Sequence, residues 1–412
     1  MRLTIRNVIR DEWRTIFTDR RLLAMLLIIP LLYTLLFGFL YMNGRATEFP
    51  TVIADHDDSQ LSRQMVQAFD ESESFQVIRF TESEDALKKA LASGEAKVGV
   101  VIPNGFSASL KHGDVLPVLT LIDGSNMMIS NAATRGANEI VNTFSLGFSA
   151  KKLQMQGLRD EQISATFQAI PFRYRVLYNP TFNYRDFLVY GLVGAALQQV
   201  LLLGISIAVT RDKERGEWSR FAVWRRNPWR IAFAKSVPYF VIGMINSLTT
   251  LILGVYGFHL PLVGSSLLML PLAAAFTFAV LGIGYLASLF SSSSLNATQT
   301  AMLVAVPSFM LSGFTFPFEA MPKAISILGH MLPLTYFLDG VRSVLVKGAG
   351  WESVAHNCIS LSLIGLITFF ISFVISRFVI FKKDSDVLSA ENSASQGRSA
   401  LPAGHTGSPL SM

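Results

Sequence analysis

The sequence predicts an α-helical membrane protein with six transmembrane helices and an inserted extracytoplasmic α/β domain. The chain has 412 residues, of which 51% are hydrophobic and only 16% are charged, a composition too apolar for an ordinary soluble protein. Uncharged runs of about 20 residues, the length needed to cross a bilayer, recur along it. Between the first two runs, residues 43–186 return to a soluble composition in which strand and helix patterns alternate.

Residues 1–21 predict an amphipathic helix that lies in the cytoplasmic membrane interface. Basic residues recur every four positions, and large apolar residues do the same on a neighbouring face. Such a pattern is typical of helices that lie on a membrane surface. The residues that form it are Arg2, Arg6, Arg10 and Arg14 on one face and Ile5, Ile9 and Trp13 on the other.

The first predicted span covers residues 22–42. The run is uncharged, and we expect Pro30 to kink the helix without preventing it from crossing. A cleaved signal peptide is the alternative, because Gly44, Arg45 and Ala46 resemble a small-residue cleavage site. The charged leader is too long and the apolar run too extended for a signal peptide, so we expect an uncleaved span.

Residues 43–186 predict a largely parallel sheet, because short strand patterns alternate with helical ones. Asp55, His56, Asp57 and Asp58 follow the first strand, where a metal site is one interpretation. Acidic residues that cap the next helix are commoner at such positions, so we favour capping. The predicted strands are 51–55, 75–80, 98–102 and 115–122, and the predicted helices are 59–69, 83–92, 105–111 and 127–158.

The membrane domain, residues 187–383, carries the other five predicted spans. The short segments on one side are rich in Lys and Arg, whereas the loop 259–266 has neither. Both termini and the loop 210–230 are therefore predicted to be cytoplasmic, and the α/β domain to be outside. The tail 384–412 is rich in Ser, Ala and Gly and is expected to be disordered. The five spans are 187–209, 231–256, 267–290, 297–316 and 357–381.

The loop 210–230 combines basic residues with aromatic residues at helical spacing. Trp218, Phe221 and Ala222 would share one face of a short helix that Pro228 ends. A basic loop that only fixes topology is one explanation. We favour a docking surface for a cytoplasmic partner, and the residues assigned to it are Glu214, Arg215, Gly216, Glu217, Trp218, Arg220, Phe221 and Pro228.

The sequence has no phosphate-binding Gly-x-x-x-x-Gly-Lys-Ser/Thr motif, so we do not expect this chain to hydrolyse nucleotides by that route. Gly282, Gly284 and Ala287 resemble part of a dinucleotide-binding fingerprint. They lie inside an apolar span, however, where small residues allow helices to approach each other closely. Helix packing is therefore the favoured interpretation.

The middle of each predicted span lacks Asp, Glu, Lys and Arg, which disfavours a carrier coupled to ions or protons. The strongest polar groups at mid-span are Gln198, Gln199 and Asn246. They line a transport pathway in one interpretation, and they form hydrogen bonds between helices in the commoner one.

The apolar segment 317–348 is broken by three prolines, so it is too interrupted to cross the membrane twice. Short helices that re-enter the outer leaflet fit it better, with the irregular backbone buried in protein. The residues that define this outer re-entrant motif are Pro317, Glu319, Pro322, Pro333, Asp339 and Arg342.

Two stretches carry a family resemblance, SGFTFPFEAMP at 312–322 and PLTYFLDGVRSVLVKG at 333–348. Together they closely resemble the signature of the type-2 ABC transporter permeases, the bacterial drug and lipid exporter group. The loop after the second span is similar to the same family's pattern, and the matching residues are Gly216, Pro228, Lys235, Pro238 and Tyr239. The large domain after the first span resembles one subgroup of that family.

The resemblance implies a permease without cofactors of its own that works with a separate ATP-binding subunit, which holds the ATP and Mg²⁺. Two permease copies, identical or homologous, would form one exporter of drugs, lipids or other amphiphilic cargo in the bacterial inner membrane. Residues 1–21 would be the elbow helix and the loop 210–230 the coupling helix seated on the ATPase. Membrane lipids and a periplasmic adaptor protein are the other expected partners, and nucleic acid is not expected.

A secondary carrier is the rival within transport, and the missing ionisable residues disfavour it. The rival from another class is a non-transporting membrane receptor whose outside domain binds a ligand or an envelope partner. A loop that resembles a coupling helix disfavours the receptor, which has no use for one.

Overall fold

The computed structural model describes residues 4–112, 116–155, 176–224 and 227–377. The chain divides into a helical unit, Met1–Met42 with Asn183–Met412, and a second unit, Asn43–Phe182. The predicted tail 384–412 lies outside the described residues, as do the ends of the predicted helix 127–158 and of the predicted span 357–381.

The helical unit begins with α1 (Ile5–Thr18) and α2 (Arg20–Leu40). Asp19 separates them, because its carboxylate accepts hydrogen bonds from two backbone N–H groups in the first turn of α2. A carboxylate in this position satisfies N–H groups that have no partner inside the helix. The first helix is therefore shorter than the predicted helix 1–21, and the second begins before residue 22.

Pro30 is accommodated inside α2 without a break. Its ring would collide with the carbonyl of Leu26, four residues earlier, and it has no N–H to offer that carbonyl. The helix widens to a π-helical turn at Ala24–Ile28, which takes up the distortion. The chain thus stays helical over a length sufficient to cross a membrane.

The second unit contains a four-stranded sheet in the order β2-β1-β3-β4. Strand β1 pairs in parallel with both β2 and β3, and β4 runs antiparallel to β3. The sheet is therefore largely parallel, as the alternation of strands and helices predicts. The strands are β1 (Phe49–Asp55), β2 (Phe75–Phe80), β3 (Val98–Ile102) and β4 (Leu119–Ile122).

In the part of this unit that the structure describes, four helices accompany the sheet, α3 (Gln60–Asp70), α4 (Glu84–Ser93), α5 (Phe106–His112) and α6 (Met127–Met155). The acidic residues after β1 organise the turn that leads into α3. Asp55 accepts hydrogen bonds from the backbone of Asp57 and Asp58 and from the Ser62 hydroxyl, and Asp57 accepts one from the backbone N–H of Ser107. These carboxylates hold turns together but do not cap α3, because its N-cap is Ser59, whose hydroxyl accepts a hydrogen bond from the backbone N–H of Ser62. The expectation that the acidic residues cap this helix is therefore wrong.

Five helices among the described residues are long and apolar enough to cross a membrane, and a bent pair raises the number to six if it counts as one span. The five are α2, α7 (Tyr184–Glu214), α8 (Trp229–Gly257), α9 (Ser266–Phe290) and α13 (Trp351–Ile375), and the bent pair is α11 (Lys323–His330) with α12 (Pro333–Val346).

The predicted span 297–316 corresponds to α10 (Ser294–Leu311), an 18-residue helix that is not among the five. Its first turns carry polar side chains at Asn296, Thr298 and Gln299, which lower the hydropathy of a helix this short. The membrane architecture is therefore helical, with five to six candidate spans.

Helix α9 packs closely against two neighbours through its glycines. A Cβ atom at Gly282 would lie 2.2 Å from the Thr368 hydroxyl of α13, and one at Gly284 would lie 2.3 Å from the Ile205 side chain of α7. Both distances are far inside van der Waals contact, so only glycine allows these helix approaches. Helix packing, the favoured interpretation of these glycines, is confirmed.

Candidate coupling site

The chain between α7 and α8 is shorter than the predicted loop 210–230, because α7 continues to Glu214. Gly216 then turns the chain with φ +69°, in the left-handed region that glycine enters at little cost. A 3₁₀-helix follows at Glu217–Trp224, and Pro228 caps the start of α8. We call residues 215–228 the coupling segment.

The aromatic residues of the coupling segment face the protein interior. Trp218, Phe221 and Trp224 are 8%, 0% and 4% exposed, and they share an apolar core with Val8 and Ile16 of α1. Residues three apart lie above one another in a 3₁₀-helix, which places all three rings on one face. The prediction that Trp218 and Phe221 offer an exposed aromatic face to a partner is therefore wrong. Aromatic rings stabilise a fold most when they are buried, and these rings pack against apolar residues of the same chain.

The outward side of the coupling segment carries Arg215, Glu217 and Val223. The Val223 side chain is 78% exposed, and Arg215 and Glu217 are also exposed. The Arg220 guanidinium lies 3.3 Å from the Glu217 carboxylate and 3.6 Å from that of Asp212, so it links the exposed surface to the interior.

Four buried charged residues lie where α1, α7 and α8 meet. They are Glu12, Arg211, Asp212 and Lys235, which are 2%, 8%, 4% and 1% exposed, and we call them the charge cluster. Two carboxylates face two cations, so the formal charge of the cluster is zero. Burial of ions is costly unless each is paired and hydrogen-bonded.

The pairing within the charge cluster is extensive. Glu12 Oε1 accepts hydrogen bonds from Arg211 Nη2 at 2.8 Å and from the Tyr239 hydroxyl at 3.0 Å. Glu12 Oε2 accepts one from Lys235 Nζ, and the same Nζ lies 2.6 Å from Asp212 Oδ2. Because Glu12 belongs to α1, Arg211 and Asp212 to α7, and Lys235 and Tyr239 to α8, these contacts fix α1, the end of α7 and the start of α8 against one another.

The sequence did not reveal the charge cluster. The predicted bounds place Arg211 in the loop 210–230, Lys235 in the span 231–256 and Glu12 in the helix 1–21, with nothing local that joins them. One signal was available. Val8, Glu12 and Ile16 follow one another at a spacing of four residues, and all three are buried, so a carboxylate stands in the middle of an apolar stripe.

Lys213 and Glu214, the last residues of α7, hold the turn between α9 and α10. Lys213 Nζ donates hydrogen bonds to the carbonyls of Ser288, Leu289 and Ser291 at 2.7, 2.8 and 3.2 Å. A cation there satisfies carbonyls left free at the end of α9 and is attracted by the helix dipole. The Glu214 carboxylate accepts hydrogen bonds from the backbone N–H and hydroxyl of Ser294 at the start of α10. Lys213 and Glu214 therefore make internal contacts.

The polar residues at mid-span have different environments. Asn246 Nδ2 donates a 2.7 Å hydrogen bond to the Leu26 carbonyl, which is the carbonyl that Pro30 cannot serve. This is the interhelical hydrogen bond that the commoner interpretation expects. Gln198 is 1% exposed and its amide has no partner among the described residues, while Gln199 is half-buried.

Each proline of the outer re-entrant motif stands at the start of a short helix. Pro317 precedes a 3₁₀-turn at Phe318–Ala320, Pro322 precedes α11, and Pro333 is the first residue of α12. Proline suits these positions because its fixed φ matches the first turn and its missing N–H needs no partner there. The axes of α11 and α12 differ by 78°.

The three charged residues of this motif, Glu319, Asp339 and Arg342, line a cavity of about 380 Å³. Asp339 Oδ2 accepts a 3.0 Å hydrogen bond from the Asn357 amide. The Arg342 guanidinium lies 4.6 Å from the centre of the Phe314 ring, a cation–π arrangement. The structure therefore brings the three charges together, whereas Pro322 and Pro333 do not line the cavity.

These features define a multi-pass helical membrane protein in which Arg220 of the coupling segment contacts a buried ionic core. The chain belongs to the ABC-2 transporter family, since the model described as "ABC-2 family transporter protein" matches residues 20–374. Members of this family are permease subunits and not catalysts, and the ATPase activity lies on a separate ATP-binding subunit.

Three curated relatives from Escherichia coli K12 match most of their own length. The probable multidrug ABC transporter permease YbhR is 23% identical over 351 residues, which cover 85% of this chain and 92% of the relative. The probable multidrug ABC transporter permease YbhS is 25% identical over 347 residues, 84% of this chain and 89% of the relative. The inner membrane transport permease YhhJ is 25% identical over 368 residues, 88% of this chain and 94% of the relative.

Proposed function

We propose that this chain is the membrane-spanning subunit of an ATP-driven exporter in the bacterial inner membrane. Its cargo is a drug, a lipid or another amphiphilic molecule that leaves the cytoplasm or the inner leaflet. Two permease copies, identical or homologous, form the pathway, and ATP and Mg²⁺ bind the partner subunit only. The names of YbhR and YbhS, probable multidrug permeases, support this class of cargo.

The observation that carries the proposal is the charge cluster. The coupling segment packs its aromatic face into the core that also contains α1, and Arg220 reaches Asp212 of the cluster. Movement of the segment is therefore transmitted to α1, α7 and α8 together. A flexible loop that only set the topology would have no need of this rigid connection.

The ATP-binding subunit docks on the outward side of the coupling segment, through Arg215, Glu217 and Val223. Trp218 and Phe221 support this surface from behind, because they are buried in the permease itself. A partly apolar centre with charged neighbours is the usual composition of such an interface.

The orientation follows from the distribution of basic residues. Both termini and the coupling segment are cytoplasmic, and the sheet unit at Asn43–Phe182 is outside, where a periplasmic adaptor protein is its expected partner. Cysteine labelling tests this arrangement in a Cys358→Ser background. A membrane-impermeant maleimide added to spheroplasts should label Glu71→Cys and leave Val223→Cys unlabelled until the membrane is opened. Labelling of Val223→Cys in sealed spheroplasts would contradict the orientation.

Co-purification tests the docking surface. The ATP-binding subunit is first identified as the ATPase that co-purifies with the tagged wild-type permease. Val223→Asp places a charge in the centre of the interface and should release that subunit, with a loss of affinity of about thirtyfold or more and a matching loss of export.

Val263→Asp is the matched control for this experiment. Val263 is 67% exposed in the loop before α9, which the proposal places on the other side of the membrane. Full retention of the ATPase by Val223→Asp, with normal export, would exclude this surface as the docking site.

A further inference from the structure

A groove with aromatic walls lies between α8, α9 and α13. Its volume is about 430 Å³, and its walls include five phenylalanines, Phe233, Phe240, Phe278, Phe369 and Phe373. Phe233 is 53% exposed and Val241, also in the wall, is 39% exposed. The groove therefore opens on the outer surface of the helical unit, where apolar side chains meet lipid.

Three buried hydroxyl groups interrupt this apolar lining. Ser236, Tyr285 and Ser376 come from α8, α9 and the residue after α13, and they are 8%, 1% and 2% exposed. None of the three hydroxyls has a hydrogen-bond partner among the described residues. Tyr285 and Ser376 are neighbours, but no hydrogen bond of normal geometry joins them.

The hydroxyls are unusual because polar groups at membrane depth are normally satisfied within the protein. Ser372, in the same wall, follows that rule and donates a hydrogen bond to the Thr368 carbonyl one turn earlier. An unsatisfied hydroxyl in an apolar environment destabilises the protein, because it has lost its hydrogen bonds to water without replacing them. Three of them around one groove indicate a ligand that supplies acceptor oxygens.

Arg230 follows Trp229 in the first turn of α8 but does not itself line the groove. The Arg230 guanidinium carbon lies 5.9 Å from the centre of the Trp229 ring, and Trp229 lines the groove. The Nε atom of Arg230 is buried and has no hydrogen-bond partner among the described residues. Trp and Arg are the residues that meet lipid headgroups at a membrane surface.

We propose that this groove binds a glycerophospholipid of the surrounding membrane leaflet. The acyl chain packs against the phenylalanines, and the ester and phosphate oxygens accept hydrogen bonds from Ser236, Tyr285 and Ser376. The phosphate lies toward Arg230. A phospholipid joins hydrocarbon to a group of acceptor oxygens that carries negative charge, which suits an apolar groove with three hydroxyls unpartnered in the described part of the chain and a cation one residue away from its lining.

A bound lipid would act directly on the coupling segment. Pro228 ends that segment and also lines the groove, so an occupied groove holds the first turn of α8 in place. The site is a property of the permease alone and depends neither on the cargo nor on the ATP-binding subunit.

Photocrosslinking tests the site on the full-length protein, in vesicles of phosphatidylethanolamine and phosphatidylglycerol. The probe is a phosphatidylethanolamine with a diazirine in its acyl chain, and labelled peptides are identified by mass spectrometry. We expect labelling in α8 and α13 around the groove. The triple variant Ser236→Ala, Tyr285→Phe and Ser376→Ala should lower labelling there by about tenfold, because it removes all three donors.

Two further variants make the result decisive. Ala232→Trp keeps every hydroxyl but fills the groove, and it should lower the labelling to a similar extent. Thr277→Val is the control, because Thr277 is a buried α9 residue whose hydroxyl also lacks a partner among the described residues but does not line this groove. It should label like the wild type.

The competing outcomes overturn the proposal. If α8 and α13 were labelled equally in the wild type, the triple variant and Ala232→Trp, the labelling would reflect ordinary contact with the bilayer and not a specific phospholipid-binding site. Stronger labelling by a diazirine fatty acid than by the phospholipid would mean that the phosphate is not recognised. A loss of labelling in Thr277→Val would mean that the variants act through the fold.

Discussion

The two ends of the helical unit both concentrate charged residues, but they use them in opposite ways. At one end, the charge cluster is buried and every member is paired across α1, α7 and α8. At the other end, Glu319, Asp339 and Arg342 line a cavity, and both carboxylates are exposed. Buried pairs fix the positions of helices, whereas exposed charges remain available to solvent and ligands. The comparison is consistent with our proposal that the first end transmits movement, and we propose that the second end is the one that contacts ligands.

The largest effect is expected from the loss of one buried cation. Lys235→Met removes the cation that lies between Glu12 and Asp212, leaving Glu12 with Arg211 and Asp212 with the more distant Arg220. Breaking a buried pair in this way costs about 3–5 kcal/mol. The melting temperature of the detergent-solubilised protein, followed by tryptophan fluorescence, should fall by several degrees. Lys323→Met, which removes an exposed lysine at the other end, should melt like the wild type.

A second substitution separates pairing from general damage. Glu12→Gln combined with Lys235→Met removes one charge of each sign, so its effect should be smaller than the sum of the two single effects. If the shift in melting temperature of the double variant equalled the sum of the two single shifts, the charge cluster would not act as a unit.

The buried aromatic face comes next. Phe221→Ala leaves a cavity in a fully buried site, and such substitutions cost about 3–5 kcal/mol. The melting temperature should fall, whereas Val223→Ala on the outward side should change it little. If Phe221→Ala melted like the wild type but still released the ATPase, the phenyl ring would face the partner and not the core.

A smaller effect on stability is expected at the opposite end. Arg342→Met removes a guanidinium that lies over the Phe314 ring, an interaction of about 0.5–2 kcal/mol. The export rate should fall clearly while the melting temperature changes little, because the side chain lines an open cavity. Arg342→Lys keeps the charge and should retain part of the export. A melting temperature as low as that of Lys235→Met would remove the distinction between the two ends.

The smallest effect concerns an ion pair outside the helical unit. Lys97 Nζ lies 2.8 Å from Asp123 Oδ2, and this hydrogen bond, with those from Ser125, holds the pKa of Asp123 well below its usual value. A pKa lowered by folding stabilises the folded state above the unfolded pKa of about 4, and the contribution is lost as the pH falls below that value. Asp123→Asn should therefore speed amide exchange in β4 at pH 6, and the difference from wild type should narrow below pH 4. The control Asp85→Asn should match the wild type in β4 at both pH values.

Local signals in the sequence account for what could be predicted. Hydropathy locates the five long spans, and alternation locates the strands, because both depend on neighbouring residues. The charge cluster is a contact between distant parts of the chain, since Glu12 lies 199 residues from Arg211 and 223 from Lys235. No local pattern reports such a contact.

The coupling segment shows a second limit. Spacing indicates which side chains share a face, and Trp218 and Phe221 do share one with Trp224. It does not indicate whether that face turns toward a partner or toward the chain's own core. Only the position of Val8 and Ile16 in the folded protein decides that question. The prolines of the outer motif act on the backbone locally, so the breaks that they cause can be predicted from the sequence.

The contacts of Lys213 and Glu214 have a consequence for protein engineering. Exposed turns between helices ordinarily accept inserted sequence, such as an epitope tag or a fluorescent label. The turn after α9 is held on both sides by two adjacent residues of α7, one bound to carbonyls before it and one to Ser294 after it. Residues inserted between Ser291 and Ser294 would pull at least one of these bonds apart. Tags therefore belong elsewhere on the chain.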